Sequence, residues 1–84
     1  MSRKEKLKQA LLKRPAKFKW SDLVIVMKHL GFTMKNANGG SGRKFYNKST
    51  GQIAKWHEPH PGNEVLQYVV DAAIELIKEQ DNEK

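Results

Sequence analysis

Two imidazoles stand three residues apart in Trp56-His57-Glu58-Pro59-His60-Pro61. An imidazole ordinarily titrates near neutrality, so two of them can serve one reaction as general base and general acid. The proton transfers they suit are those of a ribose 2′-OH and a leaving 5′-oxygen. The two prolines restrict the backbone that carries the rings. His57 and His60 are therefore the candidate catalytic residues. The same corner has a plainer use, which spacing alone favours, with His60 hydrogen-bonded to backbone near the start of a following helix. A metal site is the weaker reading, because His29 is the only other imidazole and there is no cysteine. No metal ligand is assigned, and no cofactor is expected.

The other chemistry-bearing stretch is Gly39-Gly40-Ser41-Gly42-Arg43-Lys44-Phe45. Glycines let backbone N–H groups approach a phosphate closely, and Arg43 and Lys44 supply positive charge. The stretch is not a P-loop, since no Gly-Lys-Ser or Gly-Lys-Thr follows and a strand rather than a helix comes next. A basic, flexible hairpin loop is the alternative. Phe45 and Tyr46 must point to opposite faces of one strand, so one of them is core and the outward one can stack on a base. Ser41, Arg43, Lys44, Tyr46 and Lys55 are the candidate RNA contacts. No Ser-His-Asp order or close carboxylate pair stands out.

These residues sit in a chain of 84 residues and 9.7 kDa, which is one small domain. With 38% hydrophobic and 30% charged residues it is globular rather than disordered. The absence of cysteine excludes a disulfide scaffold, a thiolate zinc site, an iron–sulfur site and a cysteine nucleophile. The longest apolar run, Leu23-Val24-Ile25-Val26-Met27, is far short of a membrane span. The basic N-terminus lacks an apolar stretch of the secretory kind. A cytoplasmic protein with no membrane partner is expected.

Charge is unevenly spread. Residues 1–20 carry eight basic side chains against Glu5, residues 21–62 six against two, and residues 63–84 two against six, giving +7, +4 and −4. The first three-quarters of the chain would attract a polyanion, of which nucleic acid is the commonest. A solvated basic face or an acidic protein partner accounts for the same asymmetry.

The elements follow from spacing. Residues 3–14 form a short basic helix with Leu7, Leu11 and Leu12 on one side, stopped by Pro15. Residues 17–20 alternate polar and apolar and read as extended. Ser21 is the expected N-cap of a second helix whose Leu23, Val26, Met27 and Leu30 share a face and whose C′ residue is Gly31. Three β-leaning segments follow, at residues 32–35, 43–47 and 52–57, with a turn at Lys48-Ser49-Thr50-Gly51. Asn63 is the expected cap of a last helix carrying Leu66, Val69, Val70, Ala73 and Ile77. The fold class is α+β: an α-β-β-β-α sandwich with a three-stranded antiparallel sheet, two helices on one face, and an additional basic N-terminal helix. Residues 1–20 make the basic helix and linker, residues 21–80 the domain, and residues 81–84 a frayed tail. The second face of the sheet is left open to a ligand.

This order of elements resembles the HicA toxin family, whose fold is like a double-stranded-RNA-binding domain and whose antitoxin partner is HicB. The resemblance covers residues 21–79. It rests on the helix ending Leu30-Gly31-Phe32, on Gly40-Ser41 leading to Phe45, on His57-Glu58-Pro59-His60-Pro61, and on the closing amphipathic helix. The family's Gly-Ser-His motif opens the second strand with the histidine that cleaves mRNA. Here Gly42 occupies that position, followed by Arg43, which resembles a branch of the family with a Gly-Ser-Arg loop and a His-x-Pro-His-Pro segment. The resemblance implies a metal-independent mRNA endoribonuclease that inhibits translation and is silenced by a HicB-like antitoxin. In such a reaction a 2′-OH attacks the adjacent phosphate, His57 or His60 moves the protons, and Arg43 with Lys44 steadies the phosphorane. The alternatives are an RNA-binding module of the same fold without chemistry, and a protein acting only through an antitoxin-like partner.

Overall fold

The computed structural model describes residues 3–36, 42–59 and 62–82. It is α+β, with helices α1 (Arg3–Leu12), α2 (Trp20–His29) and α3 (Gln67–Asn82) and strands β1 (Thr33–Asn36), β2 (Gly42–Tyr46) and β3 (Ile53–His57). The strands form one antiparallel sheet in the order β1-β2-β3. Among the described residues no helix is long and apolar enough to cross a membrane.

One side of the sheet builds the core. Phe45, fully buried at the centre of β2, lies with its ring 5.8 Å from that of Trp20 and 5.5 Å from that of Trp56. Leu23, Val26 and Met27 of α2 and Val69, Val70, Ala73, Ile74 and Ile77 of α3 close over it. In so short a chain these few side chains supply most of the apolar burial.

The end of α2 is as its sequence predicts. Gly31 adopts φ 97°, and its N–H bonds the Lys28 carbonyl while the Phe32 N–H reaches back to the Met27 carbonyl, each at 3.0 Å. That pair of bonds is a Schellman cap, and its usual apolar contact is supplied by buried Phe32 and Met27. A Cβ at position 31 would also meet the Asn47 side-chain nitrogen at 3.1 Å.

Both helix starts differ from expectation, for one reason. Residues 18–20 and 63–65 pair as extended backbone: the Trp20 N–H donates to the Asn63 carbonyl at 2.6 Å, and the Val65 N–H donates to the Phe18 carbonyl at 2.8 Å. This bond puts Trp20 at the head of α2, so Lys19 rather than Ser21 is the N-cap, with no side-chain cap bond. It also keeps Asn63, Glu64 and Val65 out of α3. The Leu66 carbonyl then accepts the first helical bonds, from Val69 and Val70, and the Leu66 side chain is left exposed. At the far end α3 continues through Asp81 and Asn82, two of the four residues expected to fray.

The basic N-terminal helix is docked. Leu11 is completely buried, with Leu7 and Leu12 packed beside it, so α1 lies against α2 and α3 on the helical side of the sheet. It ends at Leu12, two residues short of expectation, where Lys13 and Arg14 make a tight turn and Arg14 takes φ 58°. Exposed polar contacts lie along it: Arg3 pairs with Asp22 at 3.4 Å, Glu5 hydrogen-bonds His29 at 3.0 Å, and Arg14 pairs with both oxygens of Asp71 at 2.7 and 3.2 Å. The His29 hydrogen bond, followed by that of Gln9, holds the Glu5 carboxyl below its ordinary value, and the Arg14 guanidinium does the same for Asp71. A carboxyl whose pKa is depressed by folding stabilises the fold above its unfolded pKa and stops doing so as pH falls through the folded one. The contribution of these contacts is therefore present above the ordinary carboxylate range and lost as pH falls below it, and it is small because the groups are solvent-exposed. In an NMR titration the Glu5 and Asp71 side-chain carboxyls should protonate below the ordinary carboxyl value; protonation at or above that value would contradict these contacts.

Candidate nucleic-acid interface

Strand register decides which of the candidate residues share a surface. Direct partners across an antiparallel pair point to the same face, and successive residues along a strand alternate. Met34, Phe45 and Ala54 form one cross-strand row on the core side, and Asn36, Arg43 and Trp56 form the next. The opposite face carries Thr33, Tyr46 and Ile53 in one row, Lys35, Lys44 and Lys55 in the second, and Gly42 with His57 in the third. Its edge-strand residues are exposed, and Lys44 and Tyr46 on the central strand are half-buried.

Three lysines directly abreast are electrostatically unfavourable, because like charges on opposed strand positions repel. The row spans two strand spacings, about 10 Å. Such an arrangement is a ready counterpart to the spaced negative charges of a phosphate backbone. The Lys35 ammonium lies 5.4 Å from the centre of the Tyr46 ring, a cation–π contact worth about 0.5–1 kcal/mol at an exposed site.

The structure brings Lys44, Tyr46, Lys55 and His57 together and separates Arg43 from them. Arg43 lies on the core side, where it pairs with Glu58 at 3.3 Å and donates to the Gly42 carbonyl at 2.9 Å. Arg43 and Lys44, expected to steady one phosphate together, are adjacent strand residues and face opposite ways. Ser41 and His60 lie outside the described residues. Lys35 was not singled out from the sequence, since only the pairing of β1 with β2 places it in the row; the alternation of Thr33-Met34-Lys35 was the available signal.

The loop joining β2 to β3 fixes this register. Asn47 is buried and fully engaged. Its side-chain nitrogen donates to the Leu30 carbonyl at 3.0 Å, and its side-chain oxygen accepts the N–H groups of Ser49 and Thr50 at 2.9 and 3.3 Å. Gly51, at φ 77°, donates back to the Asn47 carbonyl at 2.8 Å. Gln52 then bonds the Leu76 carbonyl at 3.1 Å and Gln80 at 2.8 Å, tying the turn to α3.

Among the described residues no three His, Asp or Glu side chains gather where a metal ion could sit. A depression of about 230 Å³ on the helical side, lined by Arg14, Asp71, Ile74, Glu75 and Lys78, contains none of the residues expected to act on RNA. No family model, no curated protein and no solved structure matches the chain.

Proposed function

We propose that this protein is a HicA-like, RNA-cleaving toxin that binds mRNA in the cytoplasm on the open face of a sheet arranged like that of a double-stranded-RNA-binding domain. The observation that carries the reading is the register of β2 and β3. Gly42, the position aligned with the histidine of the Gly-Ser-His motif, is the direct cross-strand partner of His57. Opposed residues on one face have Cβ atoms about 5 Å apart, so an imidazole on β3 reaches the same region that one on β2 would occupy. The catalytic base has in effect moved one strand over, and the lysine row lies beside it, one pleat repeat (about 7 Å) along the strands.

In this mechanism one imidazole of the His57 and His60 pair removes the proton from a ribose 2′-OH. The oxygen attacks the adjacent phosphorus, and Lys44 and Lys55 offset the charge of the phosphorane. The other imidazole protonates the departing 5′-oxygen, leaving a 2′,3′-cyclic phosphate and a 5′-OH. No metal takes part. A HicB-like antitoxin with an acidic surface would silence the protein by covering the same lysines.

The test is incubation of the purified protein with a labelled single-stranded mRNA fragment, with and without EDTA. Fragments bearing 2′,3′-cyclic phosphate ends in both samples are the expected result. Binding without fragments would favour the second reading, an RNA-binding module without chemistry, to which the glycine at position 42 already lends support.

A further inference from the structure

We infer that the open face carries a stacking subsite for an unpaired base, formed by Tyr46 and Ile53 and covered by Lys35 until a phosphate arrives. The inference rests on the RNA-binding reading above and adds to it how the chain lies and what it must be. The three outward rows are parallel, and each runs across the strands rather than along them. Phosphates seated on Lys35, Lys44 and Lys55 therefore run across the sheet as well. The bases then fall to one side of that line or the other. On one side stand Gly42 and His57. On the other stand Tyr46, half-buried at the centre, and Ile53, which is 58% exposed although it is a large apolar residue.

An aromatic ring beside an exposed aliphatic side chain makes a flat apolar platform next to a cationic rail, the combination by which proteins hold single strands without reading their sequence. A duplex cannot use it, because its bases are already stacked on one another and present no free face. The fold's likeness to a duplex-binding domain would suggest the opposite preference, so the two expectations can be told apart.

The free protein shows why the platform is not simply open. The Lys35 ammonium lies over the Tyr46 ring, 5.4 Å from its centre. A phosphate on the lysine row offers that ammonium a full negative charge in place of a ring quadrupole. Lys35 then swings to the phosphate, and the ring is uncovered for the base attached to it. Phosphate binding and base stacking are thereby coupled through one side chain.

The test uses short 2′-O-methyl RNA, which has no free 2′-OH and so cannot be cut by the proposed chemistry. Fluorescence anisotropy would compare a labelled single strand with the matching duplex, each at two salt concentrations. The single strand should bind at least about tenfold more tightly. Tyr46→Ala should weaken single-strand binding by about 5- to 100-fold and leave duplex binding little changed, whereas Tyr46→Phe should restore the preference. Lys44→Met should weaken both probes and lower the single-strand salt slope by about 0.7. Equal or tighter binding of the duplex, or an equal loss on both probes in Tyr46→Ala, would overturn the subsite and leave the RNA-binding reading standing. No binding of either probe at low salt would remove both, and capture of an acidic protein by the lysine row would then be the better account.

Discussion

His57→Ala is expected to slow RNA cleavage by about 10²- to 10⁴-fold, the usual contribution of a positioned acid or base. At about 1.36 kcal/mol for each tenfold, that is roughly 3–5 kcal/mol of transition-state stabilisation. The fold should survive, since His57 is the exposed last residue of β3 and contributes nothing to the core. The discriminating readout is the affinity for an uncleavable 2′-O-methyl strand. If the imidazole acts on the protons of the reaction, the rate falls and this affinity stays within about threefold. If it is only another contact to RNA, rate and affinity fall together.

The register supplies a sharper form of the same prediction. Gly42 faces His57 directly and lies in extended β2 backbone, so Gly42→His introduced into the His57→Ala protein puts an imidazole back into the same region from the neighbouring strand. Recovery of at least about tenfold in cleavage is expected. Lack of recovery in a folded double variant would contradict the idea that the two positions are interchangeable, and with it the main structural support for catalysis.

How much of this could be read from the sequence depends on how local each determinant is. The C-terminal end of α2 was legible because Gly31 acts through its own φ and through cap bonds to residues three and four positions before it. The helix starts were not, although Ser21 and Asn63 are both good caps. Backbone pairing between residues 18–20 and 63–65 overrode them, and no window of sequence contains both partners. The open face was anticipated in outline, as was the division between Phe45 and Tyr46. The lysine row was not. Lys44 and Lys55 are legible singly as basic strand residues, while Lys35 joins them only through the pairing of β1 and β2 across the intervening loop. Arg43 and Lys44, grouped by adjacency, fall on opposite faces by a rule the sequence itself carries, the period of two in a strand.

Leu11→Ala decides whether the basic N-terminal helix belongs to the folded unit or is a mobile arm. Leu11 is completely buried among the residues of the core, although it lies outside residues 21–80, the domain expected from the sequence. Truncating a fully buried leucine costs about 2–5 kcal/mol, from lost transfer energy and the cavity that remains. A domain of this size has a total stability of the order of 5–10 kcal/mol, and each kcal/mol shifts its Tm by about 4–8 °C. The variant should therefore melt at least about 10 °C below the parent, in a single transition. The polar contacts of Arg3, Glu5 and Arg14 cannot compensate, because they are solvent-exposed and such pairs contribute little. Below its Tm the variant should still bind RNA on the sheet, since α1 lies on the helical side and lends no residue to the lysine row. An unchanged Tm would show that α1 is an appendage. A large loss of RNA binding in the still-folded protein would mean that the lysines of residues 1–20, rather than the face of the sheet, carry the affinity.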